Sequence, residues 1–159
     1  MDIKIEVENL NEVLQDIEAF KKRFEENVTE MVYRTTELGR SEATTNFSTA
    51  QYDGTKDVNI TAKAHKKSGT VTASGETALF IEFGTGISYP NDHPEASRLG
   101  IEHGSWSEGP EGKGHWDDPK GWYYAHGRRT KGNPANRCMY NAAKEVERNA
   151  ERIAREVFK

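Results

Sequence analysis

Cysteine is almost missing from this sequence: Cys138 stands alone among 159 residues. A lone cysteine excludes an internal disulfide and any cysteine-rich metal site, and its natural setting is a reducing compartment. Long apolar runs are missing too. No segment approaches the roughly 20 residues needed to span a bilayer. The opening stretch from Met1 to Asn9 has no apolar signal-peptide core. A soluble chain made in the cytoplasm is therefore expected. Apolar residues are scarce overall, at 34% against 30% charged, with a mean hydropathy of −0.89. The length suits one domain over residues 1–159, but its core must be thin. Neighbouring subunits often complete the burial that a thin core leaves undone. A surplus of positive charge is also lacking. The net charge of −4 argues against a dedicated nucleic-acid binder.

The charge that is present is unevenly spread. Residues 1–50 hold eleven acids and six bases, whereas 120–137 hold five bases (Lys120, Arg128, Arg129, Lys131, Arg137) and no acid. An acidic helix and a basic arm in one chain suit head-to-tail packing of identical copies, although two ordinary solvated faces give the same pattern.

Met1–Glu8 alternates apolar and charged residues (Ile3, Ile5 and Val7 against Lys4 and Glu6), a short strand pattern. Asn9 with Glu12 three residues on reads as a capping box. Leu10, Leu14, Ile17, Phe20, Phe24, Val28, Met31, Thr35 and Leu38 then recur every three or four residues, which predicts a long helix to about Phe47, weakened in its last turns by Gly39. Val58, Ile60 and Ala62, a loop at Lys66–Gly69, then Val71 and Ala73 predict a hairpin. Ala78–Phe83 is apolar on both faces except Glu82, which predicts a central strand ended by Gly84 and Gly86. Residues 121–126 are a candidate fourth strand. Asn133 and Pro134 suit the start of a last helix, whose stripe is Met139, Ala142, Ala143, Val146, Ala150, Ile153 and Val157. The expected fold is α+β: an antiparallel sheet of three to five strands packed by a long N-terminal helix and a C-terminal helix.

Residues 86–120 hold six of the fourteen glycines and four of the five prolines, yet also Tyr89, Trp106 and Trp116. Plain disorder is poor in aromatics, so this segment reads as an arm that orders against a partner. Tryptophan and arginine are the residue types most common at interface centres, which makes Trp106, Trp116, Arg128 and Arg129 the candidate partner-binding residues. The arm's histidines (His93, His103, His115) and Asp92, Asp117 and Asp118 admit a metal-dependent hydrolase as an alternative. No ligand pair has the helix- or turn-fixed spacing of a zinc site, and the histidines are expected to be exposed and dispensable. The basic arm 120–137 beside Trp122, Tyr123 and Tyr124 admits a nucleic-acid-binding module as a second alternative. No Gly-x-Ser-x-Gly elbow or phosphate loop is present. Glu82, a single carboxylate among apolar residues, is expected to be paired or capped by backbone N–H groups, and Cys138 to be core packing. No catalytic residue, cofactor or metal is expected.

Two segments together carry a resemblance. Ala78-Leu79-Phe80-Ile81-Glu82-Phe83-Gly84-Thr85 is similar to the aliphatic–Glu–aromatic–Gly–Thr signature of the small tail-completion, or minor tail component, proteins of long-tailed double-stranded DNA bacteriophages. Pro134 to Ala142, with Cys138 and Met139 at its apolar pair and Ala142 as its alanine, resembles the Pro-opened C-terminal helix of that family, with Cys138 where a phenylalanine is usual. The motif residues are thus Glu82, Phe83, Gly84, Thr85, Pro134, Met139 and Ala142. The resemblance implies a non-enzymatic virion subunit, made in the host cytoplasm and ending in the neck. It further implies a ring of identical copies, six-fold by analogy, between head-closure proteins and the tail terminator or tail tube, with DNA passing through its lumen and no membrane.

Overall fold

The computed structural model describes residues 9–86, 89, 92–101, 121–123 and 129–159. Within them the chain is α+β: a long helix α1 (Leu10–Thr49), a hairpin β1 (Asn59–His65) and β2 (Ser68–Ser74), short helices α2 (Ala78–Phe83) and α3 (Ala96–Leu99), two-residue strands β3 (Trp122–Tyr123) and β4 (Arg129–Thr130), and a C-terminal helix α4 (Cys138–Val157). None of these helices is long and apolar enough to cross a membrane.

Helix α1 is 40 residues, about 60 Å long at 1.5 Å per residue. It tolerates many threonines because their hydroxyls donate to carbonyls one turn back, as at Thr29, Thr35, Thr36, Thr44 and Thr49. The predicted capping box does not form. Asn9 lies in the left-handed region (φ 66°) with no side-chain cap hydrogen bond, and only its carbonyl engages, accepting from Val13 N–H at 3.0 Å.

The predicted stripe is not the packed face of α1. Its buried residues are Thr36, Gly39, Ala43 and Phe47. The helix runs on past Gly39 to Thr49, and the glycine lets it approach its neighbours. A Cβ there would lie 3.3 Å from Val146 Cγ2 of α4 and 3.3 Å from Val71 Cγ2 of β2. Helix α4 packs along this half of α1, and the hairpin lies against it as well. The hairpin closes through Lys66 and Lys67 alone, with Ile60 opposite Ala73 and Ala62 opposite Val71. These four residues are its half-buried face.

Ala78–Phe83 is a helix, not a strand. A short apolar run fits either, and periodicity cannot separate them. The helix is fixed by what precedes it. The Asp57 carboxylate accepts from Glu76 N–H (2.7 Å), Thr77 N–H (3.0 Å) and the Thr77 hydroxyl. The Thr77 hydroxyl first, then the two N–H groups, hold the Asp57 carboxyl below its ordinary range. Helical geometry turns Ala78, Ile81 and Glu82 inward and leaves Leu79 58% exposed. Among the described residues the strands form two separate antiparallel pairs, β1–β2 and β3–β4, rather than one larger sheet. The expected strand at Met1–Glu8 lies outside the described residues. The expected strand at 121–126 is present at Trp122 and Tyr123, with 124–126 again outside them.

The core is small: Phe47, Ala50, Ile81 and Cys138, with Tyr52, Val58, Ile60, Ala73 and Met139 packed around it. Ile81 is fully buried. The thinness expected from composition is therefore present where the core can be seen.

Candidate functional site

Helix α4 begins at Cys138, later than Asn133 and Pro134 predict, because 133–137 are occupied elsewhere. Asn133 N–H donates to Thr85 O (3.1 Å), and Thr85 N–H donates to Asn133 O (2.9 Å), a two-residue bridge. Asn136 N–H donates to Ile81 O (3.0 Å) and Arg137 N–H to Glu82 O (3.1 Å). The Asn136 amide also donates to Gln51 O (3.0 Å) and accepts from Gln51 N–H (2.7 Å). The segment after α1, the end of α2 and the approach to α4 are thereby tied into one knot.

Each motif residue has a place in this knot. Glu82 is 6% exposed, and its carboxylate accepts from the first free N–H groups of α4, Met139 (2.8 Å) and Tyr140 (3.0 Å). It is the helix's cap, supplied from another element. The residue at the N-cap position, Arg137, has a left-handed backbone and no side-chain cap bond. Phe83 lies with its ring 4.2 Å from that of His93. Gly84 ends α2 at φ 77°, and a Cβ there would lie 2.7 Å from Ala135 N, so only glycine fits the crossing. The Thr85 hydroxyl accepts from Asn133 N–H (3.1 Å) and from its amide (3.3 Å). Pro134 is half-buried in the crossing segment. Met139 reaches the core, and Ala142 is 3% exposed.

His93 corrects the expectation that the arm's histidines are exposed. It is buried, and its Nε2 lies 3.0 Å from Glu82 Oε1. Its Nδ1 accepts from Glu95 N–H at 3.1 Å. A backbone N–H only donates, so the ring proton sits on Nε2 and is given to Glu82. Both ring nitrogens are thus engaged, and His93 is not free to bind a metal without dismantling the knot. Among the described residues, no group of three or more His, Cys, Asp or Glu side chains is placed to hold a metal ion. Cys138 is 1% exposed. Burial first, and then the Glu82 charge, push its thiol up to about 12, which keeps it protonated and inert at neutral pH.

Beside the knot lies an open groove of about 680 Å³, bordered by Leu79, Phe83, Leu99, Tyr140, Ala143 and Lys144. Among the described residues the larger run of exposed apolar side chains is elsewhere. On the first half of α1, Leu10, Val13, Leu14, Ile17, Phe20 and Phe24 are 49–62% exposed. The sequence shows this stripe, but its regularity reads equally as a core face. Of the predicted partner-binding residues, Trp106, Trp116 and Arg128 lie outside the described residues, as do His103 and His115. Arg129 is on β4, its backbone paired with Tyr123.

Comparison with protein-family models, with curated proteins and with solved structures returns no match.

Proposed function

We propose that this chain is a structural subunit of a bacteriophage neck, completing the tail and joining it to the head as one copy in a closed ring. One observation carries the reading. The two segments that resemble the tail-completion family, Glu82–Thr85 and Pro134–Ala142, lie about fifty residues apart in sequence, yet each is the other's main partner in the knot. The motif residues therefore act as one device that sets α4 against α2. A thin core and a run of exposed large apolar side chains also suit a subunit that buries surface on assembly.

In this reading the copies form a six-fold ring between head-closure proteins and the tail terminator or tail tube, with DNA in the lumen. Trp106, Trp116, Arg128 and Arg129 make the contacts between neighbours. The protein is made in the host cytoplasm and ends in the virion, with no catalytic role.

The test is genetic and structural. Deleting the gene from the phage that carries it leaves full heads and separate tails, and supplying the chain restores infectious particles that contain it. Normal particles from the deletion overturn the proposal. So does a chain that binds DNA with a steep salt dependence but is absent from virions.

A further inference from the structure

We infer that the exposed first half of α1 is a self-association surface that pairs two copies of this chain as an antiparallel coiled coil. Leu10, Val13, Ile17, Phe20 and Phe24 are spaced three and four residues apart in strict alternation, the a/d pattern of a heptad repeat. All five are about half exposed or more. At about 100° per residue, this seam is turned roughly 100° away from the Thr36–Phe47 face that packs on the body. It is thus a second face of the helix rather than an overhang of the first.

The occupant follows from size and charge. With Ile17 opposite Phe20 of the second copy, Val13 falls opposite Phe24, so every aromatic ring meets an aliphatic side chain. In the same register Asp16 and Arg23 occupy the flanking positions that face each other, giving two opposite-charge pairs by symmetry. Leu14 then lies along the stem of the other copy's Lys21. Phe158, 39% exposed with its ring 5.5 Å from Phe24, extends the apolar surface where the second copy's Leu10 arrives. A parallel pair would instead stack Phe20 on Phe20 and align the two helix dipoles unfavourably. Six side chains, each leaving about 100 Å² open, offer about 600 Å² per copy, at the lower end of specific interfaces. The pair is therefore reversible and concentration-dependent. This inference does not rest on the neck reading.

The test is sedimentation velocity on the full chain from about 1 μM to about 1 mM, a range that brackets weak specific association. A reversible monomer–dimer equilibrium is expected. The double variant Ile17→Asp/Phe20→Asp is expected to stay monomeric throughout, with hydrogen-exchange protection of α4 unchanged, since the altered residues lie clear of the body. Charge reversal fixes the direction. Asp16→Arg alone and Arg23→Asp alone each weaken self-association about tenfold or more, and an equimolar mixture of the two recovers the dimer, because an antiparallel pair then regains both contacts. A chain that is monomeric at every concentration overturns the inference. So does a dimer that survives Ile17→Asp/Phe20→Asp, or one that survives Arg23→Asp (the parallel outcome).

Discussion

The two halves of α1 obey opposite rules although they belong to one unbroken helix. The half that is packed, Thr36 to Phe47, is built largely from small residues: threonine, glycine and alanine. The half that is open, Leu10 to Phe24, carries the large apolar side chains. Burial here is bought by closeness of approach rather than by side-chain size. Gly39 admits Val146 and Val71 to within van der Waals contact of the helix, and dispersion grows with such contact. Large side chains would hold the layers apart, and Phe47 is the one large residue buried on the packed face, whereas those of the open half are about half exposed or more, Phe24 also meeting the ring of Phe158 at the end of α4.

The comparison is broken most severely at the knot that anchors the packed half. Glu82→Ala leaves two buried N–H groups of α4 and the His93 ring proton without an acceptor. A loss of about 3 kcal/mol is expected in chemical unfolding, from stranded buried donors. Glu82→Gln keeps one oxygen for an N–H group and should lose less. A Glu82→Ala protein as stable as the original would show that the cap is not needed. Within the helix, Gly39→Leu should cost about 2 kcal/mol by overpacking α4 and β2, despite leucine's better helix propensity. By contrast, Phe20→Gln in the open half should change monomer stability by no more than about 0.5 kcal/mol at high dilution. If Gly39→Leu proves as mild as Phe20→Gln, the two halves do not differ in the way described.

The sequence made the two long helices easy to find, and with them the packed stripe of α4, but not the packed face of α1. Periodicity located α1 and α4, because a 3.6-residue repeat survives over many turns. The large apolar stripe of α1 was legible too, but not which face of the helix packs, since hydrophobicity follows size and the actual contact relies on its absence at Gly39. Ala78–Phe83 was legible as buried but not as helical. Six residues span too few turns for a period to show, and the deciding group, the Asp57 carboxylate, lies twenty residues upstream. The start of α4 was misplaced for a related reason. Asn133 and Pro134 are good local starters, but Asn133 is held by Thr85, and the cap that the helix uses comes from Glu82. That Glu82 would be either paired or capped by backbone N–H groups was legible from burial logic, and the second is what Met139 and Tyr140 provide. That His93 would join it was not, because nothing in the spacing of the histidines distinguishes a buried one.

The finest test concerns the junction between the two halves. Arg34 stands near the start of the packed region and donates to Glu156 of α4 at 2.5 Å, while Arg152 donates to the same carboxylate at 2.7 Å. The bond from Arg34 first, and then that from Arg152, hold the Glu156 carboxyl below its ordinary value of 4.5. A carboxylate with a lowered folded-state value contributes stability that is fully present above the unfolded value and is lost as the pH falls through the folded one. The pair is about one-third exposed on each side, so salt screens it and its effect is small. Glu156→Gln should therefore lower the melting temperature slightly at neutral pH and low salt. The gap to the original protein should close both on acidification below 4.5 and on raising salt at neutral pH. Hydrogen exchange should locate the change in the last turns of α4 and in α1 around Arg34, leaving Leu10–Phe24 as it was. A gap that persists unchanged at acid pH would mean that the Glu156 side chain supports the junction by packing or neutral hydrogen bonding rather than by its charge.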